Sequence, residues 1–377
     1  MTSIRDLLRE DLRGATPYGA PQLDVPVRLN TNESSYPVPP AVVAEITAAV
    51  GDVAHGLNRY PDREFTDLRT ALAAYLSNGS GTALDAAQVW AGNGSNEVLQ
   101  HLVLAFGGPG RTALGFTPAY SMHPIISRSV GTTWVDGMRG RGAEAPFDLT
   151  ARSAAEQVRA HDPHVVFLCS PNNPTGTALG LEVVEAVYAA AARAVVVVDE
   201  AYEEFARAGT PSALTLLPGR ERLVVTRTMS KAFAFAGGRL GYLAADPELV
   251  DALRLVRLPY HLSAPTQAIA LAALRHAPAM LATVDVVKDQ RDRIVAELAT
   301  MGLDPVPSDA NFVLFGGLAD ASRTWQGLLE RGVLVRDVGI PHYLRVTAGT
   351  PAETDAFLAA MTEVVAAERA DQQERPA

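Results

Sequence analysis

Four consecutive valines at 195–198, framed by Ala194 and Asp199, limit the possible folds more than any other feature of this chain. A strand apolar on both faces is buried only where helices cover a sheet above and below, which is the arrangement of parallel α/β sheets. Ligands of such sheets collect outside the carboxyl ends of the strands. Asp199 stands at that end, followed by Glu200, Ala201 and Tyr202. Two more runs read the same way. Residues 165–169 (VVFLC) lead into Ser170-Pro171-Asn172-Asn173-Pro174-Thr175-Gly176, a turn rich in proline and asparagine, and residues 223–228 (LVVTRT) deliver Lys231. Singly, Asn173 is a turn residue, Asp199 a helix cap and Tyr202 a packing group. Together the three strands bring an asparagine, an aspartate with a tyrosine, and a lysine to one crevice.

Lys231 is the only lysine before Lys288 in a chain that otherwise uses arginine for positive charge. Arginine cannot form an imine at neutral pH, whereas a desolvated lysine can lose its proton and attack a carbonyl. Lys231 lies among Thr228, Ser230 and apolar residues, and Arg239 follows eight positions later. Upstream, Gly92-Asn93-Gly94-Ser95-Asn96-Glu97 opens the apolar-periodic segment 98–106. Glycines at a helix start leave backbone N–H groups free at its positive end, a natural phosphate site.

With these residues assembled, Asn173-Pro174-Thr175-Gly176, Asp199-Glu200-Ala201-Tyr202 and Ser230-Lys231 with Arg239 resemble the fold-type I aminotransferases, which use pyridoxal 5′-phosphate. The resemblance implies an α/β fold: a large domain with a mostly parallel central sheet flanked by helices, plus a smaller α/β C-terminal domain. It implies that Lys231 carries the cofactor as an imine and shuttles the proton, and that Asp199 pairs with the pyridine nitrogen. Asn173 and Tyr202 would bond the ring's phenolic oxygen. Thr228, Ser230 and Arg239 would hold the phosphate, with Ser95 and Asn96 in the first phosphate loop. Many relatives carry an acidic residue where this chain has Asn96. Tyr120, in Phe116-Thr117-Pro118-Ala119-Tyr120, matches the aromatic that stacks on the ring.

Within that superfamily the chain is most similar to histidinol-phosphate aminotransferases, particularly actinobacterial ones. The matching segments lie at 17–21, 29–33, 59–62, 257–263, 308–312, 335–341 and 344–347. Tyr60 matches the tyrosine that reaches the cofactor phosphate of the neighbouring subunit, which implies a homodimer with shared active sites. Arg345 resembles the family's carboxylate-binding arginine and Arg336 its second anion-binding arginine, while Tyr18 and Tyr260 resemble tyrosines of the substrate side. Relatives usually read Asn-Glu-Asn-Pro where this chain has Asn32-Glu33-Ser34-Ser35. The implied reaction interconverts L-histidinol phosphate and imidazole acetol phosphate, with glutamate and 2-oxoglutarate as the second pair. An aromatic amino acid aminotransferase, a phosphate-substrate decarboxylase of the same fold and a non-enzymatic cofactor-binding regulator are the other readings.

A net charge of −10 disfavours nucleic acid and anionic membranes as partners, and no apolar run reaches the roughly eighteen residues of a membrane span. The single cysteine, Cys169, falls in an expected core strand, which fits a reducing compartment, and the first thirteen residues lack a signal-peptide core. The expectation is a cytoplasmic enzyme. The histidines lack metal-ligand spacing, so no metal is expected, and His101 reads as a helix-face residue. Residues 61–76, 182–193, 265–282 and 284–301 read as helices. The expected organisation is an N-terminal arm at 1–35 packing on the small domain and the partner subunit, a large cofactor domain at 36–258, a small domain at 259–369 and a disordered tail at 370–377.

Overall fold

The computed structural model describes residues 3–14, 16–140 and 147–374. The valine run is strand Val195–Asp199, buried throughout and placed at the centre of a seven-stranded sheet. In space the strands run Val89–Gly92, Gly241–Ala245, Leu223–Thr228, Val195–Asp199, Val165–Cys169, Thr112–Thr117 and Thr133–Met138. Gly241–Ala245 runs opposite to the other six strands, which are parallel to one another. Register pairs Cys169 with Asp199 and Asp199 with Thr226. Three carboxyl ends therefore stand level, and the loops bearing Asn173, Tyr202 and Lys231 leave from one edge. Gly241 has no alternative residue here, because a Cβ would collide with the backbone of Gly94 and Ser95.

Helices cover both faces, as the doubly buried strands require. Leu181–Ala190 and Ala151–His161 are crossover helices, and Thr66–Ser80 ends in a left-handed Gly81. The last of these starts five residues later than its apolar pattern predicts. Asp62 accepts the N–H groups of Glu64 and Thr66, and Phe65 has φ 39°, so residues 61–65 form a turn. The N-terminal leucine-and-charge pattern yields two short 3₁₀ turns, Ile4–Leu7 and Glu10–Leu12.

A second core forms around Phe312, Phe315, Leu328, Phe357 and Met361, beside a four-stranded antiparallel sheet. Full burial of each such side chain contributes about 1.5–3 kcal/mol. Tyr202 and Phe205 from the large sheet's loops join this core, as does Leu29, so the crevice at the strand ends is walled from both sides. The arm strand Val27–Arg28 pairs in parallel with Val333–Leu334, and Arg9 donates to the Ser129 carbonyl at 3.1 Å.

Two expectations about organisation need correction. The boundary read at 258/259 falls too early, because helix Ala264–Arg275 buries Ala270 and Ala273 in the large core, whereas Val284–Thr300 gives Val287, Ile294 and Leu298 to the second. The alanine-rich composition marks a change of helix character, not of core. The tail expected to be disordered from 370 is helical as far as described, since the helix from Pro351 continues to Glu374. Residues 375–377 lie outside the described residues.

Candidate active site

The level strand ends open into a cavity of about 530 Å³ between the two cores. Of the residues singled out by sequence, Ser95, Asn96, Tyr120, Asn173, Asp199, Tyr202, Thr228, Ser230, Lys231 and Arg239 all line it, together with Tyr18, Arg336 and Arg345. Asp199 is buried at the end of its strand. Its Oδ2 lies 3.0 Å from His123 Nε2, and its Oδ1 accepts the Thr226 hydroxyl at 3.1 Å. His123 comes from helix Met122–Ser129 and stacks on Phe167 with ring centroids 4.6 Å apart. Both oxygens of the carboxylate are thus oriented by side chains that packing has fixed.

The Tyr202 hydroxyl accepts the amides of Asn173 at 3.2 Å and Asn32 at 3.1 Å, which leaves its own proton to donate to a ligand oxygen. Burial pushes this phenol up to about 12, so it stays protonated at neutral pH. Asn32 has φ 57° and accepts the Thr347 hydroxyl at 3.0 Å, which ties the arm to the second core at the site. Lys231 Nζ donates to the Thr31 carbonyl at 3.1 Å. Burial, with Arg345 and Arg239 nearby and Glu33 opposing them, lowers the ammonium to about 8. A substantial fraction of neutral amine therefore exists near neutral pH.

Anion donors gather on the adjoining wall. Helix Ser95–Phe106 starts after Gly94, whose φ 86° and ψ 161° suit glycine alone, and its first N–H groups have no partner within the helix. Arg239, at φ 57°, spends one N–H on the Ala236 carbonyl and one on that of Asn93, which holds its guanidinium where a Gly94 side chain would otherwise be. The Thr228 hydroxyl donates to Ser230 Oγ at 3.0 Å. Asn96 turns its Oδ1 to the Tyr120 hydroxyl, 3.2 Å away, and so fixes the tyrosine ring beside His123. A carboxylate, a phenol with an amide, an aromatic face, an amine and an anion cup together make a donor set that fits a phosphorylated pyridine aldehyde.

Arg345 lies buried across the cavity. It donates to Asn173 Oδ1 at 2.6 Å and to the Asn30 carbonyl at 2.9 Å, stands over the Phe312 ring, and its Nε has no partner among the described residues. Burial lowers it to about 10, which still leaves it charged at neutral pH. Arg336 pairs with Arg345 across the antiparallel strands, and its guanidinium reaches the Gly19 carbonyl at 3.4 Å. Two guanidiniums lining one cavity are able to receive an anion together.

Tyr60 and Tyr260 are not brought into the cavity. They stack on each other outside it, with centroids 4.4 Å apart and Tyr60 80% exposed. Sequence reasoning missed His123 and Asn32 as site residues. The first stands three positions after Tyr120, and the second lies inside a matching segment. His101 lies on the buried face of its helix and accepts the Trp90 indole N–H.

Residues 25–361 match the profile of the family described as Aminotransferase class I and II. The chain is 63% identical over 356 residues to a histidinol-phosphate aminotransferase of Paenarthrobacter aurescens, covering 94% of each chain. It is 59% identical to one of Thermobifida fusca, covering 95% of this chain and 96% of the relative. Among solved structures, the histidinol-phosphate aminotransferase of Sinorhizobium meliloti in complex with pyridoxal-5′-phosphate superposes with a TM-score of 0.83 at 25% identity, covering 96% of this chain and 98% of that one. An aspartate aminotransferase mutant of Thermus thermophilus, at 24% identity and a TM-score of 0.79, shares the fold.

Proposed function

Since the chain belongs to the class I and II aminotransferases, we propose that it transaminates L-histidinol phosphate with 2-oxoglutarate, giving imidazole acetol phosphate and glutamate in histidine biosynthesis. The cofactor is pyridoxal 5′-phosphate, whose protonated ring draws electrons from the substrate carbon that loses its proton. Likeness to histidinol-phosphate aminotransferases along nearly the whole chain carries the choice of substrate. An aromatic amino acid aminotransferase is not favoured.

In this reading Lys231 is the covalent attachment point and, once displaced by the substrate amine, moves the proton off the substrate Cα. Its lowered proton affinity supports both tasks. Asp199, aligned by His123 and Thr226, offers a carboxylate to the ring nitrogen. Tyr202 and Asn173 hold the phenolic oxygen, and Tyr120 stacks on the ring. Ser95 N–H, Thr228, Ser230 and Arg239 hold the phosphate. Arg345 and Arg336 receive the carboxylates of glutamate and the phosphate of histidinol phosphate in turn, and Tyr18 closes the substrate side.

The same reading makes the protein a homodimer. Tyr60 and Tyr260 stack on each other outside the cavity, and Leu255 at 86% and Leu258 at 76% exposure shortly precede Tyr260 in the chain, exposed apolar side chains that a second copy would cover. Tyr60 then completes the partner's phosphate site. The proposed location is the cytoplasm, where the free buried thiol of Cys169 stays reduced. No single helix among the described residues is long and apolar enough to cross a membrane.

The test is turnover of purified, cofactor-loaded protein with histidinol phosphate and 2-oxoglutarate. Glutamate and imidazole acetol phosphate should appear in equal amounts. Carbon dioxide release from a phosphorylated amino acid without glutamate formation would move the protein to the decarboxylases.

A further inference from the structure

The cavity holds four cations, Lys231, Arg239, Arg336 and Arg345, against three carboxylates, Asp199, Asp337 and Glu33. Asp199 is buried with both oxygens engaged. Asp337 turns its Oδ1 to the N–H of Gly339 within its own turn. Glu33 is different. It is exposed towards the cavity, and its charge acts on Lys231 by raising the proton affinity that burial lowers.

The loop bearing Glu33 is fixed on both sides of the reacting lysine. The Thr31 carbonyl accepts Lys231 Nζ at 3.1 Å, and Asn32 is clamped between Tyr202 and Thr347. The Thr31 hydroxyl donates to Glu33 Oε2 at 2.8 Å, which orients the carboxylate and leaves Oε1 with no hydrogen bond among the described residues. A preoriented carboxylate with a spare acceptor, lining the same cavity as two guanidiniums, is complementary to a ligand that carries both an anion and an N–H donor.

We propose that Glu33 accepts the ring N–H of the substrate's imidazole and is a specificity-determining residue of this site, an inference that rests on the histidinol phosphate reading above. Imidazole offers one N–H when neutral and two when protonated, whereas a phenyl ring offers none. A site built to bond a donor rejects the analogue lacking it, because the acceptor is left without its partner. The same charge repels the side-chain carboxylate of glutamate, which must turn to the arginines.

The experiment measures the half-reactions of the pyridoxal-loaded protein with histidinol phosphate and with glutamate, comparing the wild type with Glu33→Ala and Glu33→Gln. Glu33→Ala should lose at least ten-fold more efficiency with histidinol phosphate than with glutamate. Glu33→Gln, which keeps an acceptor, should recover part of that difference. Equal losses on both substrates, or no loss on histidinol phosphate, would overturn the proposal. Failure of the functional reading looks different, because the wild-type protein itself would then not convert with histidinol phosphate.

Discussion

Replacement of Gly94 by alanine tests the anion cup through two separable effects. The first acts on the fold: φ 86° with ψ 161° is a region that only glycine occupies freely, so Gly94→Ala should cost about 1–3 kcal/mol of stability. The second acts on the site. The new Cβ would collide with Arg239 Nη2, the atom that donates to the Asn93 carbonyl, so the guanidinium must move. Loss of one charge-assisted contact to the cofactor phosphate is worth about 1.5–3 kcal/mol, or roughly 10- to 150-fold in affinity. Urea unfolding of the apoprotein reads the first effect, and absorbance titration with pyridoxal phosphate reads the second. Gly237→Ala is the control, since a Cβ there meets nothing within 4 Å. A dissociation constant for Gly94→Ala within about three-fold of wild type would refute the assignment of Arg239 to the phosphate.

Three further outcomes follow from the same geometry. Lys231→Ala should abolish turnover while leaving the fold intact by circular dichroism, and a rate close to wild type would end the covalent role. Because Lys231 is lowered to about 8, capture of pyridoxal phosphate by the apoprotein should quicken about ten-fold per pH unit below pH 8 and level off above it. A rate still climbing past pH 9.5 would mean the lysine is unperturbed. Arg227 donates from Nε and Nη2 to Glu200 Oε2 at 3.0 and 2.8 Å in the sheet interior, so Arg227→Met strands a buried carboxylate and should cost about 3–5 kcal/mol in urea unfolding. A loss under about 1 kcal/mol would contradict that picture.

The central sheet was legible because burial on both faces writes itself as unbroken apolar runs, and the residues after each run necessarily share one edge. Asn173, Asp199, Tyr202 and Lys231 could be placed together on that ground alone. His123 could not, because nothing local ties it to Asp199, 76 positions further along the chain, and only the packing of a helix over Phe167 does so. Asn32 is similar: its partners Tyr202 and Thr347 come from opposite sides of the crevice. The later start of the second core was hidden because helix Ala264–Arg275 is apolar whichever core receives it. Tyr60 and Tyr260 present another case. Each stands outside the cavity of its own chain, so a role for Tyr60 at the phosphate, or for Tyr260 on the substrate side, depends on a second copy.

The measurement that tests the central claim most directly is a single half-reaction without any keto acid. Pyridoxal-loaded protein is mixed with histidinol phosphate, and separately with phenylalanine, and conversion of the pyridoxal absorbance to that of pyridoxamine is followed. Rapid conversion by histidinol phosphate with slow or no conversion by phenylalanine is the predicted result. The reverse preference would keep the fold and Lys231 but contradict the assigned substrate.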